Sequence, residues 1–308
     1  LPGCASKMKV KEKILQLKKK KKAVILAHNY QRLEVQELAD FVGDSLELAK
    51  QATQVDADLV VMCGVDFMAE TVCILNPDKK VLIPDVGSIC SMAQMLTPEQ
   101  LRRAKEENRG AEVVLYVNTT ADCKALADCI CTSANAPQVV GAMESEVVLF
   151  GPDRNLAEYV RRRTEKRVLS VPEYGLCPVH HQLSVEDVRR AKAEHPQAEL
   201  VVHPECIPEV QDLADHIAST SGMVKYCSQS SRGEFLIGTE EGLLHRLRRE
   251  CPEKRFHLVS PYLVCPQMKM HTLGKIQRAL ELEKPEVKIE KGVAEAARRA
   301  VERMLSLV

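Results

Sequence analysis

Three cysteines recur at almost one spacing, each just past a β-branched run that stops at a Pro- or Gly-containing turn. Cys90, Cys177 and Cys265 lie 87 and 88 residues apart. Three thiolates without an obvious fourth protein ligand are typical of an iron–sulfur cluster with one open iron, or of a zinc ion completed by water. The spacing therefore predicts three similar domains that each give one ligand to a shared centre.

Polar side chains follow the other predicted strands. His28 and His203 end equivalent strands, and Tyr30 and Glu205 come two residues later on the same side. Ligands of open parallel sheets bind beyond the carboxyl ends of the strands. If the domains meet about a pseudo-three-fold axis, one central cavity collects all of these side chains: His28, Tyr30, Ser45, Cys90, Tyr116, Asn118, Ser133, Cys177, His203, Glu205, Ser219, Thr220 and Cys265.

Three short polar segments are predicted to open helices near this cavity. They are Gly43–Ser45, Thr132–Asn135 and Ser219–Gly222. Free N–H groups and the helix dipole favour anions at helix N-termini. Three such termini suit a substrate with several carboxylates or a phosphate.

The other cysteines have a simpler interpretation, because a lone cysteine in such sequence is usually a small buried hydrophobe. We assign that role to Cys63, Cys73, Cys206, Cys227 and Cys251. A rival ligand set is Cys123, Cys129 and Cys131, but the last two share one buried face of a predicted strand and the other repeats lack equivalents. His180 and His181 lie near Cys177 and are candidates for groups behind the ligands.

An internal repeat positions these residues. Leu-Ala-Asp recurs at Asp40, Asp128 and Asp215, at steps of 88 and 87, and Ser45, Ser133 and Thr220 each follow five residues later. Third strands end at glycines 87 residues apart. Helices follow the cysteines, with predicted N-caps at Thr97, Ser184 and Thr272 and with Pro98 at N1.

Strands alternate with helices in each repeat, which predicts βαβ units and parallel sheets. The fold class is α/β, with three similar three-layer αβα domains whose parallel sheets have four strands each. The predicted domains are residues 9–95, 96–182 and 183–270, and residues 271–308 form C-terminal helices packing back on the body. Residues 1–7 are interpreted as a cloning remnant, so Cys4 is set aside.

Composition limits the function classes. The chain has 308 residues, 45% hydrophobic and 28% charged, with a net charge of zero. It therefore has no basic field for nucleic acid or anionic lipid, and no apolar run of about 18 residues that could span a membrane. Twelve cysteines scattered through α/β sequence indicate a reducing, cytoplasmic location.

Several ordered motifs together resemble the quinolinate synthase family of de novo NAD biosynthesis. The resemblance runs from about residue 9 to the end and is carried by these segments: Ala27–Tyr30, Gly43–Ser45, Gly64–Glu70, Tyr116–Asn118, Thr132–Asn135, Phe150–Asp153, His203–Cys206 and Ser219–Met223. One feature differs from some relatives. Cys265-Pro-Gln-Met-Lys269 has one cysteine where they carry a Cys-x-x-Cys-x-x-Cys run, which argues against a thiol/disulfide switch there.

The resemblance implies a [4Fe–4S] cluster held by Cys90, Cys177 and Cys265, with its open iron acting as a Lewis acid. It also implies that iminoaspartate and dihydroxyacetone phosphate condense to quinolinate, with loss of phosphate and two waters. A functional link to the enzyme that supplies iminoaspartate follows. The expected roles are acid/base chemistry and substrate binding: Tyr30, Glu205 and His28 as catalytic groups; His28 and His203 on substrate oxygens; Ser45, Ser133, Ser219 and Thr220 on carboxylates or phosphate; Tyr116 and Asn118 on the forming ring.

Two alternatives remain at this level. A diphthamide-type radical enzyme resembles three domains with one cysteine each, but the serine-bearing segments and the His-x-Tyr and His-x-Glu pairs match it poorly. A non-catalytic iron–sulfur or zinc sensor needs no acid/base residues and is expected to have a basic partner-binding face, which the balanced charge does not indicate.

Overall fold

The computed structural model describes the backbone of residues 2–307 and the side chains of residues 8–307. The predicted remnant, residues 1–7, lies outside the described side chains. The first repeat alternates helices and strands in this order: α1 (Pro2–Lys20), β1 (Ala23–His28), α2 (Leu33–Gln36), β2 (Phe41–Gly43), α3 (Ser45–Gln54), β3 (Leu59–Cys63), α4 (Asp66–Leu75) and β4 (Lys80–Leu82).

The same order returns twice. The second repeat contains α5 (Pro98–Glu107), β5 (Glu112–Tyr116), α6 (Ala121–Lys124), β6 (Cys129–Cys131), α7 (Ala136–Gly141), β7 (Val147–Gly151), α8 (Arg154–Arg161), β8 (Arg167–Ser170) and α9 (Pro178–His181). The third contains α10 (Val185–Glu194), β9 (Glu199–Val202), α11 (Pro208–Gln211), β10 (His216–Ile217), α12 (Thr220–Gln229), β11 (Glu234–Gly238), α13 (Leu243–Glu250) and β12 (Arg255–Leu258). The chain closes with α14 (Leu273–Leu282) and α15 (Lys291–Ser306).

Each repeat forms a four-stranded parallel sheet in which its own first and third strands are central. The strand orders are β2-β1-β3-β4, β6-β5-β7-β8 and β10-β9-β11-β12. The predicted α/β class with three similar parallel sheets is confirmed. In this strand order the second strand lies on one side of the first strand and the third strand lies on the other side. A crevice therefore opens beyond the carboxyl ends of the first and third strands, where the strand order reverses.

The repeated Leu-Ala-Asp has a structural cause. The Asp40 carboxylate accepts a hydrogen bond from the backbone N–H of Ile25 in β1 at 2.7 Å. Asp128 and Asp215 accept equivalent bonds at 2.7 Å from the first strands of the other two repeats. The repeated aspartate thus fastens the segment before each edge strand to the central strand, and its recurrence reflects the fold.

The predicted helix caps are confirmed. Thr97, Ser184 and Thr272 each accept a backbone N–H from the third residue of the following helix, and Pro98 opens α5. Thr97 and Ser184 belong to full capping boxes. Such a cap stabilises a helix by about 1 kcal/mol, so these residues fix where the helix after each cysteine loop begins.

The chain divides into two compact units. The first contains Leu1–Cys90 and Cys265–Ala294, and the second contains Ser91–Val264 and Glu295–Val308. The predicted domain boundaries and the pseudo-three-fold axis stay predictions.

Both C-terminal helices pack on the body of a unit. In the first unit, α1 and α14 bury Ile14, Leu17 and Ile276 in one core with the sheet. In the second unit, Arg303 of α15 donates to Glu112 at 2.9 Å. No helix within residues 2–307 is both long and apolar enough to cross a membrane.

Candidate active site

The first strand of each repeat ends in a tight loop, and one buried residue at the end of the next helix fastens that loop. Gln36 and Gln211 each donate two hydrogen bonds of 2.7–2.9 Å to loop carbonyl oxygens. Lys124 occupies the equivalent position in the second repeat, and its ammonium donates to the carbonyl oxygen of Thr119. All three side chains are buried, so the loops that carry the polar residues are rigidly placed.

In the first unit, this loop orients His28 and Tyr30. The Nδ1 atom of His28 accepts the backbone N–H of Tyr30 at 3.2 Å, which leaves the ring proton on Nε2. The two rings meet edge to face with centroids 4.5 Å apart. Lys269, four residues after Cys265, donates to the carbonyl oxygen of Tyr30 at 2.8 Å.

The segments that carry Cys90 and Cys265 also meet in the first unit. The Ser88 hydroxyl lies 2.9 Å from the carbonyl oxygens of both Gly64 and Gln267. The structure therefore brings together two of the three cysteine loops predicted from the repeat.

In two repeats an aspartate at an equivalent position fixes the backbone of the nearby cysteine. Sequence reasoning missed both of these aspartates. Asp66 accepts the N–H of Cys90 at 2.9 Å, and Asp153 accepts the N–H of Cys177 at 3.0 Å. The signal was present, since Asp66, Asp153 and Glu240 follow the third strands at steps of 87 residues.

In the second unit, a chain of short polar contacts surrounds the buried carboxylate of Glu205. Tyr116 donates its hydroxyl to Oε1 at 2.6 Å, and His180 Nδ1 lies 2.6 Å from Oε2. His180 also lies 3.2 Å from Cys177 Sγ, and its Nε2 lies 2.8 Å from the Thr239 hydroxyl. His180, left outside the predicted site residues, thus links a predicted ligand to the predicted acid/base residue.

His203 occupies the place equivalent to His28, as predicted. Its Nδ1 accepts the backbone N–H of Glu205 at 3.3 Å, and its ring stacks on His180 with centroids 4.6 Å apart. Burial lowers the pKa of His203 to about 3, although the charge of Glu205 opposes this. The ring is therefore neutral at pH 7 and carries its proton on Nε2.

Glu205 is ionised at neutral pH. Burial alone would raise its pKa, but the potentials of His203 and His180 and the hydrogen bonds from His180 and Tyr116 hold the pKa well below its usual range. Two of these stabilising contacts are the 2.6 Å hydrogen bonds from Tyr116 and His180.

The buried neutral His203 predicts a loss of stability in mild acid. An unfolded histidine binds a proton below pH 6.5 whereas folded His203 does not, so the free energy of unfolding falls as the pH drops below 6.5, by up to about 1.4 kcal/mol per pH unit. Denaturant unfolding between pH 7 and 5 should show a shallower fall for His203→Gln than for the parent chain. Equal slopes would mean that His203 is protonated in the folded protein.

Comparison with known proteins gives one consistent result. A family model described as quinolinate synthetase A protein (NadA) matches residues 12–306. The quinolinate synthase of Thermodesulfovibrio yellowstonii is 52% identical over 297 residues, covering 96% of this chain and 98% of the relative. Those of Methanoregula boonei and Pyrococcus abyssi are 53% and 51% identical over 97% of this chain, covering 98% and 100% of their own lengths.

The chain belongs to the quinolinate synthetase A protein family. The resemblance seen in the sequence motifs is confirmed, and the chain is that of an enzyme, as predicted.

The three family-type ligand candidates are partly exposed, and among the other described cysteines they share this property with one residue. Among the described cysteines, Cys90, Cys177, Cys265 and Cys73 are partly exposed and the rest are buried. The prediction of a buried side chain is therefore wrong for Cys73 and agrees with the structure for Cys63, Cys206, Cys227 and Cys251. Burial raises the pKa of Cys129 to about 11, which disfavours the thiolate that a metal requires. The interpretation of Cys129 and Cys131 as buried strand residues agrees with the structure.

The three predicted segments all lie at helix starts, with Asp44, Asn135 and Ser219 as the N-caps of α3, α7 and α12, but the serines of the first two segments take different places. Ser133 does not open a helix, because α7 begins three residues later and Thr132 and Asn135 close a turn between them. Ser45 opens α3, but the carboxylate of Asp44 already accepts the N–H groups of its first turn.

The third N-terminus agrees with the expectation. Thr220 opens α12 and Ser219 is its N-cap. Both residues are buried, and the Ser219 hydroxyl accepts the N–H of Gly222 at 3.2 Å.

Within the second unit, one set of donors could also hold a single metal ion. The ligand atoms of Cys177, His180 and Glu205 lie within 4.8 Å of one another. A thiolate, an imidazole and a carboxylate are the donor types of a zinc or ferrous site. A mononuclear ion is thus the competitor of a cluster at Cys177.

Proposed function

We propose that this enzyme condenses iminoaspartate with dihydroxyacetone phosphate to form quinolinate, with loss of phosphate and two waters. The observation that carries the proposal is the buried Tyr116–Glu205–His180 chain beside Cys177. Such a chain offers an ionised carboxylate next to two proton donors, as repeated proton transfer and dehydration require. A protein that only senses iron or oxygen has no need of it.

We further propose that Cys90, Cys177 and Cys265 ligate a [4Fe–4S] cluster that keeps one iron open. Their partial exposure, and the contact of Ser88 with Gln267 that joins two of their loops, support this donor set. When bound, the open iron supplies a Lewis acid for a substrate hydroxyl or carboxylate.

The proton movers follow from the charge states. Ionised Glu205 accepts a proton on a carboxylate oxygen, while Tyr116 and His180 hold it in one orientation. His28 and His203, whose Nδ1 atoms accept backbone N–H groups, present Nε2–H to substrate oxygens, and Tyr30 is a further acid/base group. All of these side chains are buried, so bulk water competes little with the substrate.

Substrate charges require fixed donors. We assign the carboxylates and phosphate to Ser219 and Thr220 at the N-terminus of α12, and to the hydroxyl groups of Ser45 and Ser133. Asn118 is partly exposed just beyond β5 and is assigned with Tyr116 to the forming ring.

The decisive experiment is an anaerobic purification of the parent chain, Cys177→Ala and Cys73→Ala. Cys73 is the matched control, because it is partly exposed but lies outside the proposed ligand set. The parent and Cys73→Ala should be brown, carry about four iron and four sulfide per chain, and form quinolinate from the two substrates. Cys177→Ala should lose the full cluster and turnover.

Other results would redirect the proposal. A full cluster in active Cys177→Ala would remove Cys177 from the ligand set. A colourless parent with one zinc ion, lost in His180→Ala, would favour the mononuclear site. Cleavage of S-adenosylmethionine under reducing conditions would favour the diphthamide-type alternative.

The cellular setting is part of the proposal. Twelve cysteines scattered through α/β sequence suit a reducing cytoplasm, which we propose as the location. Iminoaspartate must be supplied by another enzyme, so a functional link to that enzyme is expected.

A further inference from the structure

A second group of metal-binding side chains lies in the third repeat, at the amino ends of the strands and away from the loops of the candidate active site. Glu234 opens β11, His257 lies on the neighbouring strand β12, and His195 ends α10. Their ligand atoms all lie within 4.8 Å of one another. This group, His195–Glu234–His257, has no role in the proposed reaction.

The three side chains converge on one carboxylate oxygen. His257 Nε2 lies 2.9 Å and His195 Nδ1 lies 3.3 Å from Glu234 Oε1. Donors around a tetrahedral zinc ion, with bonds of about 2.0–2.2 Å, lie roughly 3.3 Å apart. Two of the contacts thus already have nearly the separation that an ion requires.

The surroundings allow an ion to enter and orient the carboxylate. The two imidazole rings stack with centroids 3.6 Å apart, and their side chains are 29% and 31% exposed, so they have room to open around an ion. Arg255 binds the other oxygen, Oε2, at 3.2 Å. It therefore holds Oε1 toward the histidines, in the way that outer hydrogen bonds orient metal ligands.

The second repeat shows that the fold does not require these residues. Asn108 ends α5 as His195 ends α10, and Val147 opens β7 as Glu234 opens β11. Leu169 takes the place of His257 in the strand register. In the second repeat, an amide and two apolar side chains therefore occupy these positions on an equivalent backbone. The requirements of the fold alone do not explain the two histidines and the glutamate of the third repeat.

We propose that His195, Glu234 and His257 bind one divalent transition-metal ion of the zinc type. Two imidazole nitrogens and one carboxylate oxygen are borderline donors that favour Zn²⁺, Ni²⁺ or Co²⁺ over Mg²⁺ or Ca²⁺, and water completes the coordination. The ion joins the end of α10 to strands β11 and β12.

The test compares the parent chain with a variant built from its own second repeat, His195→Asn/Glu234→Val/His257→Leu. Calorimetric titration of each full chain with Zn²⁺, as purified under anaerobic conditions, should show one additional ion per parent chain that the variant lacks. Metal captured elsewhere contributes equally to both proteins, so the difference belongs to these three residues whether or not the cluster proposal holds.

Two further variants keep the test decisive. If the triple variant fails to fold, His195→Asn alone should weaken zinc binding at least about tenfold. His216→Asn is the matched control, since His216 is partly exposed in the same repeat but stacks on Tyr226, and it should bind like the parent. The proposal would be overturned if the parent bound no zinc. It would also be overturned if the triple variant, or His195→Asn in its place, bound zinc as the parent does.

Discussion

Glu205→Gln is expected to lower quinolinate formation by about 10²–10⁴-fold, the range of general acid–base catalysis. The iron and sulfide content should stay unchanged, because Glu205 lies outside the proposed ligand set. The amide cannot accept hydrogen bonds from Tyr116 and His180 on both of its ends, and it takes up no proton at neutral pH. The measurement is turnover per cluster in anaerobic protein.

A nearby glutamate gives the matched control for this prediction. Glu209 lies four residues further on in α11, is exposed, and makes no contact with Tyr116 or His180 among the described interactions. Glu209→Gln should keep parent turnover and parent cluster content. Normal turnover in Glu205→Gln with its cluster intact would remove Glu205 from the acid/base role and leave it as a structural acceptor.

Much of the fold could be predicted from the sequence, because the same residue types recur at the same spacing in each repeat. Glycines at the ends of third strands, and N-caps such as Thr97 and Ser184, have local causes in backbone geometry. Short-range rules therefore located them, and the structure confirms both the caps and the parallel sheets.

The charge arrangement of the site was less accessible, because it depends on contacts distant in sequence. Tyr116 and Glu205 are 89 residues apart, and no local pattern predicts that one donates to the other. The three serine segments have similar residues, which predicts the same role for all of them. Small differences in chain geometry nevertheless place Ser133 in a turn and put Asp44, rather than an external anion, at the start of α3.

For Lys124, the position in the repeat predicts the role of the side chain better than the residue type does. A lysine on a helix end is ordinarily solvated, yet this one is fully buried. Its position, equivalent to Gln36 and Gln211, was the only signal in the sequence that it fastens a loop. Comparison of the three repeats with one another identifies Gln36, Lys124 and Gln211 as the residues that hold these loops.

Gly175→Ala is expected to destabilise the second unit by about 1–3 kcal/mol and to empty the proposed cluster site. A Cβ atom at this position would lie 1.9 Å from the carbonyl oxygen of Pro152, so the backbone must move. The loop has little freedom to do so, because the carbonyl oxygen of Gly175 accepts the N–H of Arg154 at 2.8 Å. Cys177 follows two residues later, and its thiolate moves with the loop.

Gly141→Ala in the same unit separates this effect from a general cost of losing a glycine. Gly141 ends α7, and a Cβ atom there meets nothing within 4 Å. Alanine in that helix should be neutral or stabilising by about 0.5–1 kcal/mol. Thermal melting and iron content per chain should therefore fall for Gly175→Ala alone. If Gly175→Ala kept its full iron content, the close approach of Gly175 to Pro152 could not be what holds Cys177 in place, and Asp153, which accepts the Cys177 N–H, would carry that role by itself.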